Sequence, residues 1–327
     1  MNARTSPVFT FLVTTAVALM AGAIVFSSAL RLSHAGLGCA DWPACYGRIT
    51  GPDRVTESGG RDAPAGSWKA VAHRLAGGVM GMVILAIVFL SWRGRSAARH
   101  RLLSLVLLGL TAFLAVLGRW TPTLTLPVIT LANILAGFAM LAVLWWLWLD
   151  IKPAPAPAAP RGLKIAAYIG LALLGAQITL GGLVSANFAA LSCATLPDCN
   201  GSWWPVAAGP ADDLNPFHSL AVGADGRITP PAAAPLLHMI HRFWALFTVI
   251  YLAWLGLWTA GLEGLRRTGV VMLMLPALQV LLGALAVALS LPLAVVVAHN
   301  GVAALLLLGL VTLIHRLRPG AASMTAS

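Results

Sequence analysis

Charge is what this chain has least of. Of its 327 residues only 9% are Asp, Glu, Lys or Arg, against roughly 25% in a soluble domain. So little charge excludes a protein folded in water, and 59% hydrophobic residues point to lipid as the solvent. Acid is scarcer than base: ten Asp and Glu stand against 21 Lys and Arg, for a net charge of +11. That surplus would suit nucleic acid, but the basic residues cluster between apolar runs. This is the membrane pattern, and it excludes nucleic-acid binding. Cysteine is scarce as well, with four in the chain. No clear A-x-A cleavage site follows the first apolar run, so that run, flanked by Arg4, is read as a retained helix.

Eight apolar runs of membrane-spanning length lie near residues 8–30, 71–90, 102–118, 124–149, 165–184, 235–262, 268–289 and 291–314. The short loops place Arg93, Arg95, Arg99 and Arg101 on the same side as Lys152, Arg161 and Lys164. Arg266, Arg267, Arg316, Arg318 and Arg4 fall there too. By the positive-inside rule that side is cytoplasmic. The expectation is a multi-pass protein of a bacterial cytoplasmic membrane with both termini inside. The long segments 31–70 and 185–234 are then outside.

The chain repeats. His73-Arg74 recurs as His241-Arg242 after 168 residues, each pair opening an apolar run. Cys39 and Cys45, in CADWPAC, recur after 154 residues as Cys193 and Cys199, in CATLPDC. The second outer loop therefore holds extra residues between its cysteines and the next span. A proline-alanine stretch, PAPAPAAP at 153–160, separates the copies. The fold expected is all-α: eight transmembrane helices as two pseudosymmetric four-helix bundles, 1–152 and 165–327, joined by a cytoplasmic linker at 153–164. An even number of spans per half makes the repeat parallel, about an axis along the membrane normal.

Ionisable residues inside spans are rare and usually face a bundle interior. His73, His241 and His299 all sit in spans that enter from the outside, at depths of about 8–15 Å by helical rise. A single such histidine is ordinarily a hydrogen-bonded helix contact. Two in one half, His241 and His299, point to paired imidazole ligation of a heme iron. Arg74 and Arg242 are placed to pair with heme propionates, with snorkelling to lipid headgroups as the plainer alternative. His238, three residues before His241, contacts the porphyrin edge or caps the helix. His34, His100, His218 and His315 are read as solvated. Gln177 and Gln279 are read as interhelical hydrogen bonds. Trp42, Trp92, Trp120, Trp203 and Trp204 are read as interfacial belts.

The four cysteines fall in outer loops, where disulfides are permitted. Their matched spacing suggests Cys39–Cys45 and Cys193–Cys199 pairs, although four cysteines allow three pairings. A structural staple and a redox-active pair both remain open.

The segments RLSHAGLGCADWPACYG at 31–47, NFAALSCATLPDCNG at 187–201 and HMIHR at 238–242 resemble the heme A synthase family. The His-Arg pairs and the histidine of the last span carry the same resemblance. It implies oxidation of the C8 methyl of heme O to the formyl of heme A, for cytochrome oxidase assembly. It also implies a heme b held through its iron by His241 and His299, and heme O as substrate in the first bundle with His73 as a ligand. The expected partners are membrane lipid, a heme O synthase, cytochrome oxidase assembly factors and an electron acceptor of unassigned identity. A homo-oligomer remains open.

Two positions depart from the family pattern. Asn133, in VITLANILAG, stands where a second first-half histidine is expected, and Ala70 stands where a glutamate is expected. These departures predict a ligand-poor first site with slow or absent turnover. They motivate an alternative, a non-catalytic heme-binding paralogue serving oxidase assembly or heme delivery. A duplicated bundle is also compatible with a transporter.

Overall fold

The structure, a computed structural model, describes residues 6–34, 68–93, 97–120, 125–155, 157–205, 215–224 and 227–318. Eight long helices fill most of these residues: α1 Pro7–His34, α2 Trp68–Arg93, α3 Ala98–Leu117, α4 Pro127–Ile151, α5 Arg161–Ala186, α6 Ala234–Ala260, α7 Arg266–Ala288 and α8 Leu293–Arg316. Their ends agree with the apolar runs to within four residues. All eight are long and apolar enough to cross a membrane, and the chain is a multi-pass membrane protein. The helix is dictated by the solvent, because a backbone in hydrocarbon must satisfy its own N–H and C=O groups. Side-chain caps are accordingly absent from α3 to α8, whose ends lie where water and headgroups can take over. The segment before α5 is non-helical up to Pro160, where the proline run stops blocking backbone donors.

The helices pack as two four-membered rings. In the first, α1 touches α2 and α4, and α3 touches the same two. In the second, α6 touches α5 and α7, and α8 touches the same two. Helices α2 and α4 are thus diagonal in one ring, and α6 and α8 are diagonal in the other. The rings meet through α1–α8, α4–α5 and α4–α8. This is the pattern of a two-fold repeat: exchanging the halves turns the first contact into the second and maps the third onto itself. Bonds between equivalent or neighbouring positions of the two copies lie near the axis. Arg31 donates to the hydroxyl of Ser185, 154 residues away. Trp145 Nε1 donates to Thr312 Oγ1 at 2.8 Å, 167 residues away. Trp92, Trp120, Trp203 and Trp204 are exposed near helix ends, as an interfacial belt requires. Trp42 lies outside the described residues.

The extra chain of the second outer loop reaches the first bundle. Val128 donates its N–H to the Pro216 carbonyl, and Leu220 donates to that of Thr125, both at 2.8 Å. Residues 216–220 are thereby strapped to the start of α4, five residues before Asn133.

The opposite end, which carries both terminal helix ends, holds a polar knot. Asp150 at the end of α4 is the one acidic residue within the eight helices, and its carboxylate is 2% exposed. Oδ1 accepts from Arg99 Nη2 at 2.7 Å, His315 Nε2 at 2.8 Å and Arg318 Nη1 at 3.0 Å. His100 Nε2 stands 3.9 Å from Oδ2. This corrects the solvated reading of His100 and His315. His100 is buried, and both rings are drawn to a carboxylate that lipid cannot solvate. The knot joins α3 and α4 of one ring to α8 and the residues after it. Removing one partner of a buried ion pair is strongly destabilising. Asp150→Asn is expected to lower stability in detergent by about 2–3 kcal/mol, moderated by the solvent exposure of Arg99. Thermal unfolding measures this, with exposed Glu263→Gln expected to be neutral.

Candidate functional site

In the second bundle, two imidazoles arise from the diagonal helices. His241 lies seven residues into α6 and His299 six residues into α8, a depth of about 9–11 Å in each case. Each ring meets an amide from the helix before it. Gln177 Nε2, on α5, lies 3.1 Å from His241 Nδ1 and 3.4 Å from Nε2. Gln279 Nε2, on α7, lies 3.1 Å from His299 Nε2. Each ring also rests on a glycine one turn beyond that glutamine. A Cβ at Gly181 would fall 3.0 Å from Cε1 of His241, and one at Gly283 would fall 3.3 Å from Cε1 of His299. Both contacts are tight enough that the ring would have to give way.

The donor set suits a heme. Among the described residues, no group of three or more His, Cys, Asp or Glu could hold a bare metal ion. A metal bound by two imidazoles alone must bring its other ligands, as a porphyrin iron does. The polar atoms here are also incompletely used. His299 Nδ1, Gln177 Oε1 and Gln279 Oε1 are buried and have no hydrogen-bond partner among the described residues. Orphaned polar atoms of this kind, around paired imidazoles inside an apolar bundle, fit a cofactor-holding site.

The neighbours of His241 are committed elsewhere. Arg242 donates from Nη1 to the carbonyls of Asp198 at 2.7 Å and Thr195 at 2.9 Å. It donates from Nη2 to that of Cys193 at 3.1 Å. Its guanidinium thus holds the loop closed by the Cys193–Cys199 disulfide. His238 is buried and hydrogen-bonded to the backbone of Ala189, in the 3-10 turn Ala189–Leu191. Both side chains lash the outer loop to α6 around the helical turn that carries His241. The disulfide is itself buried against Met239, which suits a staple better than an exchange partner.

The first bundle places His73 on α2 and Asn133 on α4, the diagonal helices that correspond to α6 and α8. The His73 ring stacks on Phe26 of α1, with centroids 6.2 Å apart. Asn133 is half-buried, and Arg74 is exposed. Ala70 falls in the first turn of α2. Cys39 and Cys45 lie outside the described residues. The halves touch beside the second site: Asn300, next to His299, donates from Nδ2 to Ser28 Oγ on α1 at 2.8 Å. Ser28 is two residues from Phe26, so α1 runs from the ring of His73 to the flank of His299.

Sequence reading placed Gln177 and Gln279 as helix-to-helix bonds, which they are, but missed that their partners are the two histidines. The signal was present: Gln-x3-Gly occurs at 177–181 and again at 279–283. For the loop, peptide mapping under non-reducing conditions should recover Cys193 linked to Cys199. The bond is worth about 2 kcal/mol by loop closure. A peptide joining Cys193 to Cys39, or Cys199 to Cys45, would contradict the local pairing.

Comparison with known proteins adds to this geometry. Residues 10–311 match the COX15-CtaA family, described as cytochrome oxidase assembly protein. The chain is similar to a heme A synthase of Shewanella oneidensis, 35% identical over 302 residues that cover 89% of this chain and 91% of that one. It is also similar to a heme A synthase of Halalkalibacterium halodurans, 28% identical over 63% of this chain and 66% of the other. A third, from Rhizorhabdus wittichii, is 27% identical over 75% of this chain and 70% of its own. With nearly its whole length matched, the chain belongs to the COX15-CtaA family of cytochrome oxidase assembly proteins.

Proposed function

We propose that the chain is a heme A synthase, an oxidoreductase of the bacterial cytoplasmic membrane that converts the C8 methyl of heme O to the formyl of heme A. The observation that carries this reading is the imidazole pair on diagonal helices of the second bundle, in a chain whose relatives bear that name. His241 and His299 would hold a heme b by its iron, which supplies one-electron redox chemistry. Gln177, Gln279 and the two glycines fix where those rings can stand. Arg242 and His238 act one step further out. They anchor the outer loop, and so the turn of α6 on which His241 is mounted.

The first bundle would receive heme O, with His73 as its one imidazole. Phe26 lies along that ring and restricts its rotation. Asn133 offers an amide, a far weaker donor to heme iron than imidazole. Ala70 offers no carboxylate to accept a proton. The half therefore binds its substrate through fewer protein ligands than the cofactor half, and leaves one side of it more open. Oxidising a methyl group releases electrons, so the reaction needs an acceptor. Basic residues flanking the terminal side of the helices, Arg93, Arg99, Arg101, Lys152 and Arg316 among them, support an orientation with both termini in the cytoplasm.

The test is chemical. Membranes expressing the chain with a heme O synthase should yield heme A on extraction and chromatography, and His73→Ala should abolish it. Asn133→His combined with Ala70→Glu should raise the yield. Heme b without heme A in the parent and in the double variant would instead identify a heme-binding protein of oxidase assembly or heme delivery.

A further inference from the structure

A histidine that binds a metal through one ring nitrogen carries a proton on the other, and that N–H needs an acceptor. The orphaned atoms of the second bundle answer this requirement. The amide oxygens of Gln177 and Gln279 are buried without partners, beside the two rings. We propose that Gln177 is the positioning residue of the iron ligand His241, its amide fixing the plane and tautomer of the imidazole so that the Nε2 lone pair is free for iron. The inference rests on the reading of His241 and His299 as heme ligands.

The two sites differ in this. At His241 the amide lies nearer Nδ1 than Nε2, at 3.1 Å against 3.4 Å. An amide's oxygen and nitrogen exchange places by a half turn about the terminal bond. After that turn Gln177 Oε1 sits 3.1 Å from Nδ1 and 3.4 Å from Nε2, and accepts the N–H of the nearer nitrogen. At His299 the amide N–H of Gln279 is donated to Nε2. A ring that accepts at Nε2 carries its proton at Nδ1, which is the tautomer iron requires. Gln279 therefore lies on the nitrogen that iron would take, and it is not the acceptor of this ring's N–H. Both glycines serve the same end. One turn beyond each glutamine, they let the Cε1 edge of the ring press against the helix backbone, which stops the ring from tilting.

The device belongs to one half only. The cysteine repeat, in step with the Arg31–Ser185 bond, sets α1 against α5 at 154 residues. In that register Ala23 stands where Gln177 stands, and Ser27 stands where Gly181 stands. A general requirement of bundle packing would have left a glutamine in both halves. An amide that tunes a resident cofactor is needed only where the cofactor stays.

The purified parent and Gln177→Leu, Gln177→Glu and Gly181→Ala variants decide the matter by heme content, electron paramagnetic resonance and redox titration. The parent should contain a low-spin heme. Gln177→Leu should keep it with a more positive midpoint potential and altered g-values, because an imidazole whose N–H has lost its acceptor donates less to ferric iron. Gln177→Glu, which restores a stronger acceptor, should move the potential below that of the parent. Gly181→Ala should reduce low-spin content. If Gln177→Leu loses its heme, Gln177→Glu arbitrates: heme retained at a lowered potential supports the proposal, and an empty protein counts against it. A parent with low-spin heme and a Gln177→Leu variant identical to it in potential and g-values would overturn the positioning role while leaving the ligands standing. A parent with no low-spin heme would overturn both.

Discussion

A neutral imidazole inside a helix bundle has two nitrogens to satisfy and no water to do it with. Leaving such a group unpartnered costs about 1–3 kcal/mol. Three histidines of this chain face that condition near the ends of the bundles opposite the chain termini, and much of the surrounding structure is arranged by it. In the second bundle each ring draws an amide from the preceding helix, and a glycine to let the ring approach. Because the amides come from α5 and α7 and the rings from α6 and α8, each demand is met within one pair of consecutive helices, and the packing of the two pairs brings both rings into one bundle.

The duplication carries the argument into the other half. Bundles with one topology meet about an axis, and near it the polar bonds pair equivalent or neighbouring positions of the two copies. At the terminal side the junction is charged, with the buried carboxylate of Asp150 gathering Arg99, His315 and Arg318. Nearer the opposite side it is neutral and short-ranged, with Asn300 bonded to Ser28 beside the histidine of α8. The first half keeps His73 and its stacking partner Phe26, but has an amide and a methyl group where further chemistry would be expected.

Much of this was legible in the residues. Helix number and bounds follow from apolar run length, because lipid leaves the backbone no alternative to the helix. The repeat is visible in His73-Arg74 against His241-Arg242, and the local disulfide in the spacing of Cys193 and Cys199. What stayed hidden depends on which side of a helix faces which neighbour. Gln177 lies 64 residues from His241, and nothing in a uniformly apolar helix marks the face it presents. Arg242 looked free to meet a propionate, yet three carbonyls of the disulfide loop claim its guanidinium. His100 and His315 looked solvated because they flank basic loops, and only the approach of α4 brings Asp150 to them.

The central claim is that the second bundle is a two-imidazole heme site, and spectroscopy of the purified protein tests it most directly. Reduced-minus-oxidised absorption of the parent should show a six-coordinate, low-spin b-type heme. His241→Ala and His299→Ala should each abolish that signal, with the protein still folded by circular dichroism. A low-spin spectrum unchanged in both variants would contradict the account.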